Sequence, residues 1–464
     1  MLRRRLTMSS LAATVIAATI LTGGAAASGS RVERAITPFT TSERPYLVAL
    51  APGVEIRPII STGDIVGGTQ AGYQMSGVPD GIGAYQAADG TVEVFVNHEL
   101  SPRYDASGAR VSHLTLNADA AVVAASYPID GTEEWEWFCS GTLAEIDGVP
   151  WYLAGEEGKH SARHGSSFAL NATSGRVVET PQFGHFGHEN VVPVQGLSKA
   201  YLGLSEDGFG EFSQLYAYIA DTFEGAIAGE EGALRVWVPD EPVTDGDPSP
   251  SDLPKGESMA GHFVRIPHGD KVMPRDLEAM VQDLGAFDFN RIEDQVADPN
   301  DPGVVYFAET GRAKQETSHG RIYRLDVDPN NPRHATLSVV LSAEEGDDIF
   351  SPDNLGISDT SLVIQEDRNW KRSGYNRVLV YDLSSGSLTA VARTDPTQAI
   401  IDDRGLGAWE SSGVVDASEF FGQGWWFLTV QAHYTEVPVP DLSLVPNSGT
   451  GEGGQLELVY LPGT

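Results

Sequence analysis

Six short apolar runs recur along the chain, and each ends in polar groups of one kind. They are 92–99 (VEVFVNHE), 151–157 (WYLAGEE), 200–207 (AYLGLSED), 305–311 (VYFAETG), 361–367 (SLVIQED) and 425–433 (WWFLTVQAH). Each is β-branched or aromatic, of strand length, and bounded by Gly, Pro or Asp, which is how a buried strand reads. Upstream of each lies a second recurring element: 77–81 (GVPDG), 139–141 (CSG), 188–193 (HENVVP), 292–299 (IEDQVADP), 352–358 (PDNLGIS) and 409–415 (WESSGVV). Third strands are expected at 211–219, 320–326 and 376–382. Most units lie roughly 50 to 65 residues apart, a spacing that predicts an all-β fold, a six-bladed β-propeller over 76–464. One gap is longer. The stretch at about 222–288 contains DGDPSPSDLPK, which predicts a long loop insertion between the third and fourth repeat units. A two-sheet sandwich would use the same strands, because strand number alone does not fix topology.

The first 27 residues read as an address. Arg3, Arg4 and Arg5 precede an apolar run from Leu11 to Leu21, and Ala25-Ala26-Ala27 fits an A-x-A cleavage site. That is the pattern of a secretory signal peptide. The run is too short to span a bilayer, so no membrane anchor is expected after cleavage. Arg3-Arg4-Arg5-Leu6 partly matches a twin-arginine signal, and a secreted or extracytoplasmic protein exported by the Sec or twin-arginine route is expected. Residues 28–75 are expected as an N-terminal extension with lead-in strands. Charge restricts the partners: 65 acids against 30 bases leave −35, a surface that repels nucleic acid. A single cysteine excludes an intrachain disulfide. A monomer acting on a small molecule is expected.

In a propeller the first strand of each blade lines the central channel. Residues at one end of these strands converge although they are far apart in sequence. Asp80, Cys139, Glu189, Glu293, Asp353 and Glu410 occupy comparable places in the upstream elements, and Glu99, Glu156, Glu157, Asp207, Glu309 and Asp367 end the runs. Crowded carboxylates stay ionised only with cations between them, and their oxygens suit hard ions such as calcium, magnesium or ferric iron. Cys139 is either a buried inert thiol or a thiolate ligand. Its place in the series favours the ligand, and its softer sulfur favours iron.

Among the bases, Arg291 precedes Glu293 by two, which would put both side chains on one face of a strand, and Arg368 follows Glu366-Asp367. A guanidinium fork grips two phosphate oxygens, although each arginine could equally form a structural salt bridge. His185 and His188 lie three apart among glycines, where no zinc-binding helix is expected, and His98 and His433 end strands. No nucleophile elbow, P-loop or EF-hand occurs.

Taken in order, GVPDG, VNHE, CSG with a following strand ending in EE, F-G-H-E, R-I-E and P-D-N-L resemble the PhoX alkaline phosphatases, from about 77 to 433. The resemblance implies an exported six-bladed propeller with two ferric ions and calcium ions in its central funnel, cleaving phosphate monoesters. It implies that Cys139 ligates iron, that Glu189 and Glu293 ligate metal, and that Arg291 contacts phosphate. Glu156, Glu157 and Asp353 would be further ligands, and Arg368 joins Arg291 as an expected catalytic residue. The chain departs from the family at Asn190, where glycine is usual, at Ile292, where proline is usual, and at Gly155, where a second cysteine is usual. Two other functions fit the same residues: a calcium-dependent propeller hydrolase of phytase or lactonase-like type, and a non-catalytic, metal-stabilised binding propeller.

Overall fold

The computed structural model describes residues 37–67, 73–103, 108–208, 212–243, 246–367, 374–399, 409–436 and 452–464. The expected leader at 1–27 and Arg368 lie outside the described residues. Within them the fold is all-β: three four-stranded sheets, one of five strands, one of nine and a two-stranded ribbon. Every pairing among these strands is antiparallel, and most join consecutive strands through short connections. Many strands are covered on both faces, so their apolar runs are continuous rather than alternating. His188–Val194 and Ala200–Glu206 are buried along their whole length.

The first strand of each meander faces the middle. Pro79–Gln86 packs on Gly141–Ile146, which packs on His188–Val194. Ile292–Ala297, Pro352–Ile357 and Trp409–Asp416 follow, and the last returns to Pro79–Gln86. The inner strands thus close a ring, and the sheets stand around it in a propeller-like arrangement. Closure uses both ends of the described chain: Glu55–Ser61 pairs with Glu452–Tyr460 in the sheet that contains Trp409–Asp416. The cores lie between neighbouring sheets. Phe95, Tyr152 and Phe168, for example, share one cluster although they come from two sheets.

The stretch 222–288 is built, and is not a loop alone. Ala233–Pro239 is the fourth strand of the meander that starts at His188. Ser258–Arg265 pairs with that strand on one side and with His334–Ser342 on the other. It thereby fuses two meanders into the nine-stranded sheet and covers two outer edges that would otherwise be open. Pro274–Asp283 adds a helix, with Leu277 and Val281 buried in the adjoining core. The turn-forming prolines mark a real loop, but they conceal the apolar strands on either side of it.

Candidate functional site

The inner strands share one irregularity. Pro79 pairs with His98, and the next pair is Ile82 with Val96. The same slip occurs from His188–Glu206 to Val191–Leu204, from Ile292–Glu309 to Gln295–Phe307, from Pro352–Glu366 to Leu355–Ile364, and from Ser411–Val430 to Val414–Leu428. Each is a β-bulge, with two residues of the inner strand opposite one of its partner. The bulged pairs are Asp80-Gly81, Glu189-Asn190, Glu293-Asp294, Asp353-Asn354 and Ser412-Gly413. In the remaining inner strand pairing begins at Gly141–Ala154, so Cys139-Ser140 holds the matching place. A bulge re-aims side chains, and here it repeats around the ring. Asp80, Cys139, Glu189, Glu293 and Asp353 therefore come together from four sheets, with Glu189 and Glu293 on the two edge strands of the nine-stranded one.

The geometry of the cluster centres on the cysteine. Donor atoms of Asp80, Glu99 and Cys139 all lie within 4.8 Å of one another, as do those of Cys139, Glu157 and Glu189, so Cys139 belongs to both groups. Its thiol lies 3.5 Å from Glu157 Oε2. Asp80, Glu189 and Glu293 are buried, while Glu99, Cys139, Glu157 and Asp353 are half-buried. Burial first, then the neighbouring carboxylates, pushes Asp80, Glu157, Glu189 and Asp353 well above the usual carboxylate range. Glu99 is pushed up to about 7 by burial and then by Glu410. The Cys139 thiol is pushed up by burial and then by Glu189, Glu99, Glu157 and Asp80.

Two cationic groups answer part of this charge. Arg291 donates from Nε to Asp207 Oδ1 at 3.0 Å and from its terminal nitrogen to Asp207 Oδ2 at 2.8 Å, and lies 2.9 Å from Glu293 Oε1. Burial opposes ionisation of Asp207, but the Arg291 charge and hydrogen bonds outweigh it and hold its pKa down. Arg291 precedes the strand Ile292–Ala297 in a left-handed backbone (φ 68°), and its N–H donates to Ser213 Oγ at 3.1 Å. The expected pairing with Glu293 thus arises from a turn, not from strand alternation. His433 lies between Glu410 (3.6 Å) and Glu452. Burial would discharge its imidazole, yet the two glutamates raise its pKa well above the usual value.

Not every expected residue joins the cluster. Glu156 points the other way, accepting the Glu136 N–H at 2.9 Å and the Ser161 hydroxyl at 2.7 Å. Glu309 accepts from Thr317 and from the Tyr323 hydroxyl. Both oppose the residue just before a bulge, or its equivalent, and their side chains are used to hold neighbouring segments. The residue one step further, Glu99, Glu157, Asp207 or Asp367, is the one that faces the funnel carboxylates. Glu410 stands two residues before the bulge, which places Ser412 at the shared position, and reaches the cluster beside His433. His98 and His188 are buried with pKa values lowered to about 3 by burial, and they bond to Gly77 and Gly184 carbonyls.

Sequence reasoning missed a second layer. The other bulged residues bond to one another: Asn354 Nδ2 donates to Ser140 Oγ (3.2 Å), Asn190 donates to Asp294, and Asp294 accepts the Leu355 N–H (3.0 Å). Asn190, Asp294 and Asn354 border a cavity of about 280 Å³ that Ile82, Leu143, Val192 and Val414 also line. Gln431, at the polar end of the sixth run, donates to Asp80 Oδ2 (2.8 Å) and Glu99 Oε2 (3.0 Å). A small polar residue after Cys139, Glu189, Glu293 and Asp353 was the signal available for the first group, and the polar end of the run 425–433 was that for Gln431.

No family model matches the sequence, and no curated protein does. Among solved structures the chain is similar to the alpha-L-arabinanase of Penicillium chrysogenum, with a TM-score of 0.42 and 8% identity over 83% of this chain and 94% of that one. It is similar to the NanB sialidase from Streptococcus pneumoniae, at 0.40 and 8% over 88% of this chain and 71% of that one. It is also similar to the β-propeller domain of the Trilobed protease from Pyrococcus furiosus, at 0.34 and 8% over 76% and 89%. No activity passes from these proteins to this chain at such identities.

Proposed function

We propose that the chain is an exported hydrolase of phosphate monoesters whose central funnel holds ferric iron and calcium, as in the PhoX alkaline phosphatases it resembles. Counting the nine-stranded sheet as two blades fused by Ser258–Arg265 would give the six blades of that family, which supports the reading. The observation that carries the reading is the membership of Cys139 in two ligand groups, one with Asp80 and Glu99 and one with Glu157 and Glu189.

The donor set fits the ions. Asp80 gives one oxygen to Gln431, and its Oδ1 is buried without a hydrogen-bond partner among the described residues. Carboxylate oxygens suit hard cations, and one thiolate among them adds a soft donor that suits iron. The groups around Cys139 raise one another's pKa, and a cation among them would reverse that. Asp80, Glu99, Cys139, Glu157 and Glu189 would hold the ions, with Glu293 and Asp353 next along the ring. When bound, such ions supply Lewis acidity towards phosphoryl oxygens. The chain's own part is orientation. Asp207 takes the Nε edge of the Arg291 guanidinium and fixes its plane, so that the opposite edge would bind a phosphoryl oxygen and stabilise charge developing on it.

Hydrolysis of p-nitrophenyl phosphate at alkaline pH, with iron and calcium measured in the same preparation, tests the proposal. Turnover that needs both ions supports it. Absence of turnover in metal-loaded protein overturns the phosphatase reading, and full turnover in an iron-free Cys139→Ala protein overturns the role of iron. The dominance of carboxylates over sulfur favours one second reading, a calcium-dependent hydrolase of phytase or lactonase-like type. Calcium alone restoring activity after chelation would select it.

A further inference from the structure

We propose that a pocket on the nine-stranded sheet, away from the central funnel, binds a tetrahedral oxyanion: a phosphate or sulfate group. The pocket, of about 320 Å³, is lined by Arg235, Arg265, Arg333 and Lys199. Arg235 and Arg265 stand directly opposite each other on paired strands, and like charges so placed repel. Arg333 joins them through the backbone: its carbonyl accepts the Phe263 N–H at 2.7 Å, while Arg235 donates to the Phe263 carbonyl at 3.3 Å. Three arginines are therefore gathered at one end of the strand Ser258–Arg265 and line one pocket.

Among the described residues no carboxylate pairs with these three arginines, as is also the case for Arg44, Arg176, Arg275 and Arg393, but here three such arginines line one pocket. Acids outnumber bases by 65 to 30, and Arg57, Arg163, Arg291, Arg321, Arg324 and Arg377 all pair with acids. Among the described residues none of Arg235, Arg265 and Arg333 forms an ion pair within 4.0 Å. The carboxylate that lines the pocket, Asp221, is taken by Lys199. Arg235 Nε is buried with no hydrogen-bond partner among the described residues. Burial, followed by the charges of Arg333 and Arg265, lowers the Arg235 pKa. A dianion between the forks would relieve the repulsion and supply the missing acceptors, and a tetrahedral oxyanion matches guanidinium geometry two oxygens at a time.

The test uses inorganic sulfate on the full chain, with sodium chloride of equal ionic strength as control, read by melting temperature and by calorimetric titration. Arg333 is exposed, so Arg333→Gln should fold; Arg265→Gln is the second variant. Sulfate is expected to raise the wild-type melting temperature saturably beyond chloride, with affinity at least about tenfold weaker in Arg333→Gln. In chloride alone the variant should melt no lower than wild type, because a repulsive charge is gone. Sulfate bound in the central funnel would persist in the variant, so the difference between the two proteins carries the test. Methyl sulfate binding as well as sulfate would assign the site to an esterified group; binding only of sulfate would assign it to the free ion. Identical responses of wild type and both variants, growing without saturation as for any excluded salt, would overturn the proposal.

Discussion

Cys139 holds on its sheet the register place that Asp80 holds on the neighbouring one, and the Gly81 N–H donates to the Cys139 carbonyl at 2.9 Å between them. The two inner strands touch backbone to backbone here because residue 81 has no side chain. A Cβ at Gly81 would stand 2.4 Å from Gly141 N and 2.5 Å from the Cys139 oxygen. Gly81→Ala must therefore push the strands apart, at a cost of about 1–3 kcal/mol or more. Urea unfolding should show this loss, together with a lower metal content, since Asp80 and Cys139 would separate. Unchanged stability would mean that the close approach is dispensable.

Glu156 and Glu157 are neighbours in sequence with opposite tasks, and a pair of substitutions separates them. Glu156→Gln puts an amide where two donors converge and should cost about 1–3 kcal/mol with metal content unchanged. Glu157→Gln removes one negative charge from the cluster. It should lower metal content and, after chelation, raise the melting temperature. Equal effects of the two substitutions on metal content would contradict the assignment.

Arg291→Ala leaves the Asp207 carboxylate, which is 0% exposed, without its cation. Breaking a buried pair from one side costs about 3–5 kcal/mol. Arg291→Lys keeps the charge but loses the fork, so its stability should fall between the two. If the guanidinium also meets substrate, the lysine variant's kcat/KM should fall by more than its stability explains; chemical denaturation alongside kinetics on p-nitrophenyl phosphate checks both.

After chelation the pH dependence has a definite sign. Glu99 titrates near 7 in the fold, and Asp80, Glu157, Glu189 and Asp353 are also raised. Groups raised on folding contribute stability that is complete below their unfolded values, near 4, and is lost as pH climbs through the folded ones. Chelated protein should therefore melt higher at pH 5 than at pH 8, and restoring iron and calcium should flatten or reverse that slope. A melting temperature of chelated protein that rises with pH would contradict the account of the cluster.

The strands and their order were legible because buried strands carry continuous apolar runs, and the register of Asp80, Cys139, Glu189, Glu293 and Asp353 was legible because the bulge recurs at one place. Which of two adjacent polar residues turns inward was not. Glu156 and Glu157 look alike in sequence, and the bulge, not strand alternation, decides between them. Glu410 was set in register by its charge, whereas the shared place belongs to Ser412. Ala233–Pro239 and Ser258–Arg265 were hidden because their partners are set by edge pairing across a long gap, which no local pattern encodes. Asn190, first noted as a departure from a usual glycine, is a hydrogen-bond partner of Asp294 in the layer beneath the cluster.

The central claim is that the funnel around Cys139 holds metal, and elemental analysis of the purified protein tests it most directly. Wild type should retain iron and calcium in fixed proportion to the chain through gel filtration, and Cys139→Ala should lose iron while remaining folded. Protein that binds neither ion, or a Cys139→Ala variant with the iron content of wild type, would contradict the claim.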